Sequence, residues 1–285
     1  MFSIVTDTSA NLSAAFLRAH QVMAIPFSYF IGEQGYQCPN SEEFDGNGFY
    51  SMLREQKVTT SLINVQCYMD YFTPILEQGK NLLYIGMSSG ISGALQSATL
   101  AAEMLQEQHS EQKILIFDTL AASLGEGLMV MEAVQLRDAG YSIEAVMQML
   151  LEKRAKICQY FTVDDLMYLK RGGRVHSLSA VFGTVLNIKP ILKGNDDGRI
   201  VLCGKARGRK KSLRMLADHL IEEISGENQT ICIAHANCPE DADLLTAFIQ
   251  ERYHPKEVVV ECYEPVTGSH VGPGAIALFF EGKRR

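Results

Sequence analysis

Short β-branched and aromatic runs alternate with longer segments of helical periodicity through the first half of the chain. FSIVTD precedes AAFLRAH, NLLYIGM precedes SGALQSATLAAEMLQEQ, and KILIFDT precedes GEGLMVMEAVQLRDAG. A strand run followed by an amphipathic stretch, repeated, is the pattern of βα units in which each helix returns the chain to a parallel strand. The pattern predicts an N-terminal α/β domain with a parallel sheet between two helical layers. Ligands of such sheets gather beyond the carboxyl ends of the strands. That rule puts TDTS (6–9), MSSGIS (87–92) and FDT (117–119) along one edge, and all three carry hydroxyls. Between the first and second units, FIGEQGYQCPNSEEFDGNGFY is dense in turn residues and predicts a small insertion over about residues 28–58.

After YSIEAVMQMLLEKRAK the alternation gives way to CQYFTV, a helical DDLMYLKRGGR, SAVFGTVLNIKPIL, and a hairpin around the Asp-Gly turn of KGNDDGRIVL. Strand runs TICIAHA and EVVVECYE flank the helical EDADLLTAFIQERY, and AIALFF closes the chain. This half predicts a mixed α/β sheet, dividing the chain into domains 1–157 and 158–285. The 285 residues suit two such units, each with its own core.

Composition narrows the class. Apolar residues at 47% and charged ones at 21% exclude a wholly disordered chain. No apolar run is long enough to cross a bilayer, so no stable membrane insertion is expected. The start lacks the basic flank and cleavage site of a signal peptide, and a cytoplasmic location is expected. The seven cysteines include no CxxC pair, so neither a disulfide frame nor a zinc site is expected. A net charge of -7 argues against nucleic acid as a partner. Basic residues nevertheless concentrate in LKRGGR (Lys170, Arg171, Arg174) and KARGRKKSLR (Lys205, Arg207, Arg209, Lys210, Lys211, Arg214), which form either a solvated face or a docking patch.

Three stretches carry candidate chemistry. GMSSG (86–90) fits G-x-S-x-G between a strand and a helix, with Asp118 after a later strand and His270 last, the chain order of an α/β-hydrolase. A serine hydrolase using Ser88, Asp118 and His270 is therefore one reading, although no HG dipeptide supplies its usual oxyanion loop. The other takes SSGIS as an anion site, in which helix N–H groups and the hydroxyls of Ser89 or Ser92 meet a negative ligand. Plain helix capping by either serine competes with it. TTS (59–61) caps a helix beginning near Val65 or adds hydroxyls to the same site. His270 lies between TG and GPG, which predicts a loop and a hydrogen bond to an anionic ligand. No His or Cys stands at metal-ligand spacing from it.

Taken together, TDTSANLS, TTS, SSGISGALQSA, VDDLMYLKRGGR, LNIKPIL, DGRI and GSHVGPGA resemble the motifs of the DegV family in order and character, over nearly the whole chain. The resemblance implies a two-domain protein with a long-chain fatty acid in a tunnel between the domains. It also implies that the protein is not itself an enzyme but the acyl-binding subunit of a bacterial fatty acid kinase. A separate ATP-binding subunit phosphorylates the carboxylate, and the acyl phosphate passes on toward phospholipid synthesis. Position by position, the carboxylate-binding hydroxyls correspond to Thr60 or Ser61 and to Ser89, with Ser92 beside it, and the family histidine corresponds to His270. TTSLIN lacks the proline common after the family's Thr-Ser, and Ala94 stands where a hydroxyl often follows. No cofactor is implied beyond the bound acid. A carrier or sensor of acyl lipids without a kinase partner is a further reading. Arg171, Arg174, Arg207 and Arg209 are candidates for docking an acidic kinase subunit. The carboxylate site is expected to consist of hydroxyls and a histidine with no fixed cation, because a lysine or arginine would hold the acid firmly ionised.

Overall fold

The structure, a computed structural model, describes residues 2–174 and 187–285. Strand β1 (Phe2–Asp7) leads through a 3-10 turn at Thr8–Ala10 to helix α1 (Ala14–Ala19) and strand β2 (Met23–Ile25). Strands β3 (Ser28–Ile31) and β4 (Gln34–Gln37), helix α2 (Gly46–Glu55) and strand β5 (Val58–Ser61) follow. The βα alternation then resumes with α3 (Val65–Glu77), β6 (Asn81–Gly86), α4 (Ala94–Gln108), β7 (Ile114–Asp118), α5 (Leu124–Asp138) and α6 (Ile143–Arg154).

The first sheet has the order β2-β1-β6-β7 with every pair parallel. Its central strand β6 is buried from Leu82 to Gly86, which is why NLLYIG reads as a continuous apolar run instead of an alternating one. The expected insertion is a small antiparallel sheet, β4-β3-β5. Thr60 and Ser61 therefore belong to a strand and do not cap α3. Asn64 does that, its side chain accepting from the Cys67 N–H.

The second half contributes β8 (Ile157–Thr162), α7 (Leu166–Gly172), β9 (Ile188–Gly194), β10 (Ile200–Arg207) and α8 (Arg209–Glu223). It continues with β11 (Thr230–His235), α9 (Pro239–Gln250), β12 (Glu257–Cys262), α10 (Pro265–Val271) and β13 (Ile276–Glu281). Six strands form a mixed sheet, β10-β9-β8-β13-β11-β12, in which only β11 and β12 pair in parallel. The stretch SAVFGTVL (179–186) lies outside the described residues. The Asp-Gly hairpin joins β9 to β10 as predicted, with Gly198 at φ 70° in its turn.

Helix α5 lies between the two sheets. Its Leu124, Met129, Val130 and Ala133 share one apolar cluster with Ile85 and Phe117 of the parallel sheet and with Phe161, Ala277 and Phe279 of the mixed sheet. A helix covered on both sides is apolar nearly all round, as LGEGLMVMEAV is. Helices α8 and α9 cover the far face of the mixed sheet through Leu213, Leu216, Leu245 and Phe248. Among the described residues no helix is long and apolar enough to cross a membrane.

Candidate functional site

His270 lies on helix α10, not in the loop its flanking glycines predicted. Pro265 opens the helix, and the Glu264 carboxylate caps it by accepting from the N–H groups of Val266 and Thr267. Tyr263, Val266, Thr267, His270 and Val271 recur at helical spacing and line one cavity of about 450 Å³. The rest of the wall comes from both halves of the chain, with Phe27, Met87 and Ile91 from loops of the first half and Phe161, Ala277 and Phe279 from the mixed sheet. A volume of this size, apolar with a few convergent polar groups, is what small-molecule sites have in common.

The polar groups gather at the His270 end. His270 Nε2 lies 2.9 Å from Thr60 Oγ1, joining α10 to β5. Burial pushes the imidazole pKa down to about 4, with the nearby Arg174 guanidinium adding to the effect, so the ring is neutral at pH 7. In the tautomer that places the proton on Nε2, the ring donates to Thr60, and the Thr60 hydroxyl is left to donate into the cavity. Close packing here depends on Gly172, the last residue of α7, because a Cβ at that position would strike His270 Nδ1. Ser61 and Ser92 line the same cavity. The Ser92 oxygen accepts from the Ala94 N–H at 3.2 Å, which leaves its own proton available to a ligand.

Ser89 is placed differently. It is exposed, does not line this cavity, and donates its hydroxyl to Asp118 Oδ2 at 2.6 Å. Ser88 is fully buried and donates to the Gly198 carbonyl at 2.9 Å, holding the β9–β10 turn against the β6–α4 junction. The Ser88, Asp118 and His270 triad is thus not formed. Each member bonds to a different partner, and the order of residues along a chain does not impose their meeting in space.

A cation also stands in the cavity wall, where none was expected. Arg174 is half-buried, lines the cavity, and is held by the carbonyls of Ile91 and Gly172. Of the other basic candidates, Arg171 is exposed over the Tyr168 ring at 5.8 Å, and Arg207 is exposed on β10. Arg209 turns inward, paired with Asp241 at 2.8 Å and donating to the Gly274 carbonyl at 2.6 Å. Among the described residues no cluster of His, Cys, Asp and Glu could hold a metal ion.

A model of the DegV family, described as uncharacterised, matches residues 1–283. The chain belongs to the DegV family. It is 39% identical to DegV domain-containing protein CPE0026 of Clostridium perfringens over 99% of this chain and 97% of that one. Among solved structures it resembles a Thermus thermophilus DegV protein described for its fatty acid binding, at 28% identity and a TM-score of 0.89 over 99% of both chains. It also resembles DegV of Bacillus subtilis, described as a fatty acid binding protein, at 29% identity and a TM-score of 0.86 over 99% of both chains.

A buried pair of carboxylates in this DegV chain has little local signature. Within TDTS, Thr6, Asp7 and Ser9 are buried and Thr8 is partly exposed. Asp7 and Glu126 are buried together, with Ser9 Oγ bonded to both carboxylates and lying 2.9 Å from Glu126 Oε2. Tyr84 donates to Asp7 at 2.6 Å and Thr6 to Glu126 at 3.0 Å. Ser9 has one hydroxyl proton and cannot donate to both acids, so one of them must be protonated. Burial raises both pKa values, Glu126 well above the usual range, while Asp7 has the larger set of donors. Glu126 therefore carries the proton. The available signal was a lone Glu in the otherwise apolar GEGLMVM.

Proposed function

We propose that this DegV protein holds a long-chain fatty acid with its acyl chain in the cavity and its carboxylate among Thr60, Ser61, Ser92 and His270. The observation that carries this reading is an apolar cavity walled by both halves of the chain and lined by a neutral histidine–threonine pair. Each buried methylene contributes about 0.8 kcal/mol, so the chain supplies the affinity and the carboxylate needs only a few donors to orient it. Ser92 takes the place first given to Ser89, whose hydroxyl is committed to Asp118. Arg174 adds a positive field at the same end. The fatty acid binding described for the Thermus thermophilus and Bacillus subtilis proteins supports the reading.

The protein then acts as a presenting subunit, without a complete catalytic site. A separate ATP-binding kinase subunit in the cytoplasm phosphorylates the bound carboxylate, and exposed Arg171 and Arg207 contribute to its docking. A carrier that works without a kinase would share the cavity and lack the phosphotransfer.

Organic extraction and mass spectrometry of the purified protein should yield one fatty acid of roughly sixteen to eighteen carbons per chain, since such an apolar cavity fills from a lipid-rich lysate. Adding octadecanoic acid to delipidated protein at a hundred times its Kd should raise the unfolding midpoint by about 5 °C or more. An extract free of acyl chains, together with an unchanged midpoint, would refute the proposal.

A further inference from the structure

The cavity wall contains a hydroxyl that carboxylate binding does not use. Ser123 is 1% exposed, lines the cavity, and its Oγ has no hydrogen-bond partner. It precedes α5 in the N-cap position but makes no capping bond, and its backbone sits at φ 54°, ψ -140°. A serine there forgoes the bond serine normally makes at a helix start, adopts a left-handed φ that side chains disfavour, and keeps its hydroxyl buried and unpaired. Three unfavourable features at one residue in the wall of a ligand cavity point to a ligand atom as the missing partner.

Beside it stands Tyr263, also buried and lining the cavity. Burial raises the phenol pKa and the neighbouring Ser123 hydroxyl works against that rise, yet Ser123 Oγ is left without a hydrogen bond of normal geometry. Thr267 also lines this wall, but its side chain lies beside the Glu264 carboxylate and only one turn from His270.

Position along the cavity fixes what the partner is. The α10 stripe runs from Tyr263 to His270, and the helix from Glu264 to His270 spans about 9 Å at 1.5 Å per residue. An extended chain advances about 1.2 Å per bond, a third of the reach of one residue, so a chain lying along α10 with its carboxylate at His270 would bring roughly its eighth to tenth carbons level with the Tyr263 end of the stripe. We propose that Ser123, with Tyr263, binds a hydroxyl group near the middle of the acyl chain, making mid-chain hydroxy fatty acids a preferred ligand class. Such a hydroxyl both donates and accepts, as do Ser123 and Tyr263, whereas a saturated chain leaves Ser123 unpaired. This inference rests on the fatty acid reading above, with the carboxylate at the His270 end.

The test compares dissociation constants of octadecanoic, 9-hydroxyoctadecanoic and 16-hydroxyoctadecanoic acids for delipidated protein. Wild type should prefer the 9-hydroxy acid over octadecanoic acid by about fivefold more than Ser123→Ala does, the effect of one neutral hydrogen bond. Ser123→Gly, which accepts the positive φ without strain, serves as the second variant and should lose the preference equally. Tyr263→Phe should reduce it. An unchanged preference in both Ser123 variants, or a 16-hydroxy acid bound as well as the 9-hydroxy acid, overturns the inference while leaving fatty acid binding intact. Failure of all three acids to bind wild type overturns both.

Discussion

Glu126 illustrates how one buried proton ties stability to pH. Its pKa is raised in the folded protein, so between the ordinary carboxyl range and its own raised value the native state binds more protons than the unfolded chain. Its contribution to stability is therefore complete at low pH and is lost as pH rises through that window, by up to about 1.4 kcal/mol per unit. Glu126→Gln keeps an acceptor for Thr6 and removes the ionisation. The difference in unfolding free energy between variant and wild type should thus move in favour of the variant as pH rises from about 5 to about 8. Urea unfolding at both pH values measures it, and a difference independent of pH would show that Glu126 does not carry the proton.

At the scale of elements, the site depends on two glycines at which segments approach closely. A Cβ on Gly90, in the β6–α4 junction, would meet the backbone carbonyls of Asp197 and Gly198 in the β9–β10 turn. Backbone cannot swing aside as a side chain can, so Gly90→Ala should push the hairpin off the junction and lower stability by about 1–3 kcal/mol. Ser92 stands two residues further on, so affinity for octadecanoic acid should fall as well. Denaturant unfolding and a binding titration test the pair of effects, and a variant matching wild type in both would mean that the hairpin is not seated by this contact. Gly172 serves α10 in the same way, by leaving room for the His270 ring.

For the whole molecule, a net charge of -7 coexists with exposed arginines on α7 and β10. Arg209 belongs to the same basic run but is spent inside the fold on Asp241 and the Gly274 carbonyl, so reversing it would damage structure and docking together. Arg171→Glu with Arg207→Glu separates the two. The double variant should bind octadecanoic acid normally and support several-fold slower phosphotransfer with a purified kinase subunit. The deficit should widen at low salt, since the screening length is about 10 Å at 0.1 M and grows on dilution. Wild-type rates at low ionic strength would assign both arginines to solvated surface.

The sequence by itself determined the elements and the family. Strand and helix runs depend on which positions are apolar within a few residues of one another, and the alternation through β1, β6 and β7, the β9–β10 hairpin and the ordered motifs were legible for that reason. Thr60, Ser61, Ser92 and His270 could be named as candidates because hydroxyls and a histidine among glycines stand out against an apolar chain. Only the tertiary structure decided which of them meet. Thr60 and His270 are 210 positions apart and touch because α10 packs on β5. Ser92 lines the cavity and Ser89 does not, because the backbone between them turns from the edge of the sheet into α4. Arg174 enters the wall where it is held by the Ile91 carbonyl, and Glu126 keeps its proton because Asp7, 119 residues earlier, is buried against the same serine. Local periodicity encodes which face of an element is buried, but not what is buried against it. That second fact sets the pKa of His270, the proton on Glu126 and the unpaired hydroxyl of Ser123.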